Sequence, residues 1–430
     1  MNNLLSLLLF ALIPVASVTA ANAQNDTSVP APPKQVTQRL KEVRDLENEV
    51  KNQEADNAKD LKRRLAMVTT YLQPLAAARS FAGDTFGATA TFDAYRKKRE
   101  IAYGKNEDAD IAGDQSDLKS ALAEDAIKAI VEAANDRQVV ILNEAHTAPM
   151  HRAFAMRLAR ELRRIGFEYL ACETFAIGDM RPLAKGYVTP LTGYYSREPT
   201  YANFLRDALD TKWKFVGYEP ADSPGQDNQA KPPTREAKMA KNLVDRIFKQ
   251  DPKARVFIFV GHSHVLEMPE SVTDSDASKM AAQLKRMTGM DPLTIDQIQM
   301  FKHYESELQT TIYREALTKV SEIPVVLKTP EGRPIKLAMN PAAVDMQVVF
   351  PPYGLNPKTN RAEWMTSLAG LTPRQIPKEL LPQAGKRLIY AYRLNDPLDA
   401  MPADVTMVEA GKAVPMLMLP KGEFRYAVED

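Results

Sequence analysis

Four short apolar runs separated by helical stretches constrain this chain more than any other feature of its sequence. They are Gln138–Leu142, Phe167–Cys172, Lys214–Gly217 and Arg255–Val260. A strand with one face in water alternates apolar and polar residues. These runs do not, so both of their faces must be covered. Between them, Met150, Phe154, Leu158, Leu162 and Ile165 mark one face of a helix that Gly166 stops, and Phe204–Leu209 and Arg235–Phe248 also read as helical. This alternation predicts an α/β fold, a mostly parallel sheet flanked by helices.

The flanking regions have a different character. Leu4–Val15 is apolar and Ala21-Asn22-Ala23 follows it, which predicts a signal peptide over 1–23, too short to span a membrane. Met1-Asn2-Asn3 lacks the usual basic residue, and no cysteine follows the cleavage position to carry a lipid. A linker and helical segment is expected over 24–117. Val36, Leu40, Val43, Leu46 and Val50 form a helical stripe that resumes at Leu61, Leu65 and Val68 before Pro74, the pattern of a surface helix; two clean heptads are too few for a coiled coil. Lys105–Asp117 reads as a loop. An α/β core domain is expected over 118–322, entered by a helix at Leu118–Ala134 and closed by helices at Lys279–Thr288 and Thr294–Glu305. Residues 323–430 are proline-broken and β-rich, either a second small domain or strands added to the first sheet.

Composition narrows the function classes. The 56 basic and 55 acidic residues balance, so no basic stripe suggests nucleic acid. Cys172 is the only cysteine, which excludes a disulfide framework even in the oxidising compartment that an exported, periplasmic or secreted protein would enter. A homo-oligomeric state stays open.

The ends of the four core runs hold the chemistry. The first ends at Asn143-Glu144-Ala145-His146, the second at Glu173, the third at Tyr218-Glu219 and the fourth at Gly261-His262-Ser263-His264. In a parallel sheet these ends share the edge where α/β proteins bind ligands. Four of the five histidines lie in two of these segments. Glutamate and histidine together can deprotonate a water or hold a divalent metal. Glu144 and His146, two residues apart, face one side if extended. Each residue also has a structural reading. Glu144 could favour the helix N-terminus near Pro149, His151 reads as a surface or supporting residue, and either His262 or His264 could cap the next segment. Cys172 alternates with Glu173 and so faces away, and Ser263 lacks a Gly-x-Ser-x-Gly setting.

Several of these segments resemble motifs of the erythromycin-esterase, ChaN-like and TraB/TIKI superfamily. Asn143-Glu144-Ala145-His146 resembles its Gly-Glu-x-His segment, with Asn143 in place of glycine, and Ala171–Phe175 resembles its strand ending in glutamate. Arg235–Leu243 is similar to its Arg-[Asp/Glu]-x-x-Met-Ala-x-Asn helix, and Val260–Val265 to its Gly-x-x-His segment. The resemblance covers Gln138–Val265. It implies an α/β core with Glu144, His146, Glu173 and His264 in the crevice and Arg235 nearby. Members are macrolide-lactone esterases, metal-dependent proteases and haem-binding iron-uptake lipoproteins, though the missing lipid cysteine sets this chain apart from the last.

The leading expectation is an exported hydrolase of an ester, lactone or amide, acting on a small molecule or peptide. His146 or Glu144 would be the base, Glu173 would orient it, and His264 would stabilise an oxyanion. Arg235, Tyr218 and Glu219 would contact substrate. In a metal-bound variant, Glu144, His146, Glu173 and His264 would hold Zn, Mn or Co. The rival expectation is a haem- or metal-binding protein using the same crevice without turnover, with His264 or Tyr218 as axial ligand.

Overall fold

The computed structural model describes residues 38–55, 60–104, 116–175, 181–220, 234–267, 278–304, 310–337 and 341–430. The signal peptide expected over 1–23, the linker after it and most of the loop expected over Lys105–Asp117 lie outside the described residues.

The protein is a mixed α/β fold built on a large, mostly parallel sheet. Its strands are β1 (Leu122–Asp125), β2 (Val139–Glu144), β3 (Tyr169–Cys172), β4 (Lys214–Val216), β5 (Val256–Gly261), β6 (Leu293–Met300), β7 (Val325–Lys328) and β8 (Met346–Val349). They lie in the order β1-β7-β8-β6-β2-β5-β3-β4. Of the eight, β7 alone runs against the rest, pairing antiparallel with both β1 and β8. The chain leaves β2, skips one position to β3, and returns to insert β5 between them. The strand order thus reverses around β2, and the crevice at its C-terminal end is where such sheets bind ligands.

Alternation along β2 shows why its run is apolar throughout. Val140 and Leu142 enter one core with α4 (Ala126–Ala133), α5 (Pro149–Arg164) and α7 (Pro199–Asp210). Val139 and Ile141 enter the opposite core with α8 (Arg235–Leu243) and α9 (Met280–Thr288). A short α6 (Arg181–Ala184) follows β3. Helices therefore cover both faces of the sheet.

Two expectations need correction. The segment from Thr294, read as helical, forms strand β6. Thr294, Ile295 and Ile298 are β-branched, and Leu293–Ile295 pair with Val140–Leu142 in the slot beside β2. The helix expected at Leu118–Ala134 begins only at Ala126. Leu122–Asp125 instead pairs with β7, and the Asp125 carboxylate caps α4 by accepting from the Ile127 and Lys128 N–H groups at 2.8 and 3.2 Å. The N-terminal segment is helical as expected, with α1 (Arg39–Ala55), α2 (Leu61–Phe81) and α3 (Thr85–Tyr103), and Pro74 lies inside α2.

The β-rich C-terminal segment does two things. β7 and β8 extend the main sheet. Lys386–Arg393 forms a separate antiparallel sheet with Asp404–Glu409 and Phe424–Glu429. That small sheet is the platform for the N-terminal helices. Leu388, Tyr390, Tyr392 and Val405 pack against Leu40, Val43, Leu75 and Ala78. At the α2–α3 turn, Gly83 has φ +77°, and a Cβ there would lie 2.0 Å from the Val405 carbonyl oxygen, so only glycine fits. No helix among the described residues is long and apolar enough to cross a membrane.

A buried ion pair fixes the C-terminal sheet. Arg361 donates to both Asp404 carboxylate oxygens at 2.8 Å, and the Met418 N–H adds a third bond at 2.7 Å. Both side chains are buried. Asp404→Ala should therefore cost about 3–5 kcal/mol of unfolding free energy by stranding the guanidinium. Urea unfolding measures it, and a loss below about 1 kcal/mol would show that the pair does not hold this sheet.

Candidate functional site

The C-terminal ends of β2, β3 and β5 converge as the strand pattern requires. Glu144 closes β2, Glu173 follows β3, and His262 and His264 follow β5 in a short 3-10 turn. Glu144 and His146, two apart, do meet: His146 Nδ1 lies 2.8 Å from Glu144 Oε1. Glu144 also takes a bidentate grip from Arg152 on the first turn of α5, at 2.7 and 3.2 Å. Arg152 is fully buried and further donates to the His146 carbonyl at 2.8 Å and to Glu198 at 3.3 Å. Burial alone would raise the Glu144 pKa, but the Arg152 charge and the His146 hydrogen bond outweigh it and hold the carboxyl at about 2. Facing an ionised carboxylate, His146 Nδ1 must donate, which leaves the Nε2 lone pair free to accept a proton.

The ring of His146 is fixed on its faces as well. It stacks on Tyr195 with centroids 3.8 Å apart and meets His262 edge-on at 5.0 Å. Its Nε2 edge abuts Gly261. A Cβ on that glycine would lie 2.4 Å from Nε2 and 2.8 Å from Glu173 Oε2, so glycine lets imidazole and carboxylate share one spot. Glu173 accepts from the Gly261 N–H through that same oxygen.

A second cluster adjoins the first. Half-exposed Arg235, at the start of α8, donates to Glu219 at 3.1 and 2.9 Å, to Glu173 Oε1 at 2.8 Å and to His264 Nε2 at 3.1 Å. The Nδ1 of His264 is taken by Glu236 at 2.8 Å. Burial raises Glu173, but His146, His264 and Arg235 together bring it below the ordinary carboxylate value. Burial leaves Glu219 raised despite Arg235.

The sequence-derived candidates therefore fall into two groups. Glu144, His146, Glu173, Glu219, Arg235 and His264 are brought together. Tyr218 is not: it is fully buried in the core, its hydroxyl has no hydrogen-bond partner among the described residues, and it cannot contact substrate or serve as an accessible haem ligand. Nor do Glu144, His146, Glu173 and His264 form a metal centre. Among the described residues no three His, Cys, Asp or Glu side chains are grouped to hold an ion. The Arg235 guanidinium already lies between Glu173, Glu219 and His264, where a cation would bind. His151, read as a surface or supporting residue, is fully buried; its Nδ1 accepts the Ala145 N–H at 3.1 Å, and burial pushes its pKa down to about 3. Cys172 is buried, and burial raises its thiol pKa, which leaves it inert.

Sequence reasoning missed Arg152, Tyr195 and Glu236, and it set His262 aside. His262 takes a left-handed backbone at φ 45°, uncommon for a histidine and frequent at functional sites. The Asn143 amide holds its carbonyl at 3.0 Å, and Phe92 stacks on its ring at 6.0 Å. Burial, then the nearby His146, pushes the His262 pKa down to about 4, so it is neutral at ordinary pH. His146, Tyr195 and His262 floor a cavity of about 540 Å³ walled by Thr69 and Gln73 of α2 and by Phe92 and Tyr95 of α3. The N-terminal helices, expected only as a surface layer, thus form the wall over the sheet edge.

Comparison with known proteins places no family name on this site. No family model and no curated protein matches the chain. Among the solved structures that match are bacterial toxins and effectors. One is RRSP, a MARTX toxin effector domain from Vibrio vulnificus (11% identity, 62% of this chain and 65% of that one, TM-score 0.29). Another is the type III effector HopBA1 (14% identity, 46% and 88%, TM-score 0.27). A third is described as bacterial protein toxins (10% identity, 62% and 67%, TM-score 0.28). Likenesses this distant bear on no activity. They do correct the resemblance drawn from short motifs: the matching structures are toxin effectors, not erythromycin-esterase or ChaN-like proteins. Carboxylates and imidazoles at adjacent parallel strand ends are what such a crevice favours in any lineage, so three- and four-residue matches there report architecture, not kinship.

Glu144 also gives a pH test. Its folded pKa lies below the unfolded 4.5, so between those values the unfolded chain binds more protons and stability rises with pH. The contribution is complete above pH 4.5 and is lost as pH falls toward about 2. Glu144→Gln should flatten the acid limb by about 3 kcal/mol, read from urea unfolding at stepped pH. An acid limb of unchanged slope would mean that Glu144 is not the ionised partner of Arg152.

Proposed function

We propose that the protein is an exported hydrolase of small esters, lactones or amides, with His146 as general base. One observation carries this reading: His146, a residue lining the cavity, has its Nδ1 held by an ionised Glu144, which leaves Nε2 as the basic atom of the ring. The apolar N-terminal leader supports export.

The reaction balances with residues of this chain. His146 Nε2 takes a proton from water as the oxygen attacks the carbonyl carbon. Glu144 holds the imidazole and stabilises the imidazolium that forms. The carbonyl electron pair moves onto oxygen, where neutral His262 donates a hydrogen bond. The intermediate collapses by breaking the bond to the alcohol or amine, which takes the proton back from His146. Glu173, fixed by Arg235 and the Gly261 N–H, sets the wall beside Nε2. His264, with both nitrogens occupied by Glu236 and Arg235, holds the arginine rather than the oxyanion.

Activity on a panel of 4-nitrophenyl esters should fall about 10²–10⁴-fold in His146→Ala, the range expected on removing a general base. Glu144→Gln should lower kcat with little change in KM. Turnover indifferent to His146→Ala would sink the proposal.

A further inference from the structure

The cavity wall carries information about what the site would accept. Phe92, Tyr95, Arg99 and Tyr103 follow one another on one face of α3, and all four line the cavity. The spacing of three, four and four residues keeps them in a row along the helix. Phe92 sits against the His262 ring at 6.0 Å, and Tyr95 stacks on Phe92 at 5.4 Å. At the other end Arg99 lies over the Tyr103 ring at 5.9 Å. The row thus runs from the histidine floor through two aromatic rings to an exposed guanidinium.

Charge along this wall is one-sided. No aspartate or glutamate is among the described residues lining the cavity, and Glu144 is engaged by the Nδ1 of its lining His146. No carboxylate among the described residues pairs with Arg99, whereas Lys98 beside it is paired with Glu54 at 3.0 Å. A surface arginine usually finds an acid or faces open water. This one faces a concave, aromatic wall free of acids among the described residues, a setting in which an arginine binds anions well.

We infer that the substrate is a small anionic compound with a flat or ring-bearing body. Its carboxylate or phosphate binds Arg99, and its scissile bond sits at His146 and His262, about 10 Å away by the helical rise between positions 92 and 99. The aromatic row takes the body between the two ends. A cavity of about 540 Å³ suits a small molecule and not a folded partner. The inference rests on the hydrolase reading for the position of the scissile bond, while the anion preference stands on the wall itself.

The test reads binding without turnover. The full chain is titrated calorimetrically at low salt with 4-phenylbutyrate and with its neutral amide, 4-phenylbutyramide. The expected result is one site, with the carboxylate binding at least about tenfold tighter, the difference a charge-assisted bond gives. Arg99→Gln should abolish that preference, Arg99→Lys should keep most of it, and His146→Ala should leave it intact. Equal affinity for acid and amide, no binding of either at millimolar concentration, or a preference that survives Arg99→Gln would overturn the inference. Absence of the preference in the unmodified chain condemns the substrate assignment alone, and His146-independent turnover condemns the hydrolase reading alone.

Discussion

The site depends on one buried cation. Arg152 sits in the first turn of α5 without exposure, and a guanidinium in that position is tolerable only if its charge and its donors are satisfied. Glu144 supplies most of that, Glu198 and the His146 carbonyl supply the rest, and the rings of Tyr195 and Tyr201 lie over it at 5.8 and 5.0 Å. The demand runs both ways. Glu144 stays ionised in the core because Arg152 is there, and an ionised Glu144 fixes the tautomer of His146. Glu198 in turn caps α7 through the Thr200 and Tyr201 N–H groups at 2.9 and 2.8 Å. Strand end, helix start and imidazole are therefore locked by the same charge.

The ends of the chain have a purpose in the same terms. A parallel sheet edge is open on its solvent side and would expose its imidazoles. Here α2 and α3 close that side, and their position comes from the C-terminal sheet, through the Leu40–Tyr390 core, the Gly83–Val405 approach and the Leu40 N–H to Glu429 bond at 2.9 Å. The histidines come from the middle of the sequence and the wall from its beginning. The support for that wall comes from its end. A cut at either terminus would reach the cavity even though no residue of the C-terminal sheet lines it.

What could be read from the sequence divides along the same physical lines. β2, β3, β4 and β5 were legible because strands buried on both faces must be apolar. The site residues at their ends were legible because polarity begins abruptly where the apolar run stops. β6 was not, and the reason is polar burial. Its Asp296 and Gln297 look solvated in sequence, yet they bond Asn143 at 2.9 and 2.8 Å inside the sheet, where burial pushes Asp296 up to about 6. That ladder also explains Asn143 itself: its amide joins β2, β6 and the His262 carbonyl, a task glycine could not perform. Arg152 and Glu236 were missed because their roles exist only in the fold. Pro149 marks where α5 begins, but nothing local says that an arginine three residues on points inward. α3 was obscured by Gly87 and its threonines, poor helix formers that tertiary packing overrides.

The same charge bookkeeping bears on the choice between metal and arginine. Glutamates and histidines at one sheet edge look in sequence like ligands awaiting an ion, because the residue types are the same. What separates the two cases is whether a resident cation has already taken the donors. Glu144 has Arg152, and Glu173, Glu219 and His264 have Arg235. With those groups engaged, Nε2 of His146 is left to exchange a proton, beside a neutral His262. The half-exposed Arg235 sits on the carboxylates at the edge, whereas Arg152 is sealed in the core. The first can yield to solvent or substrate, and the second cannot without leaving Glu144 charged and alone.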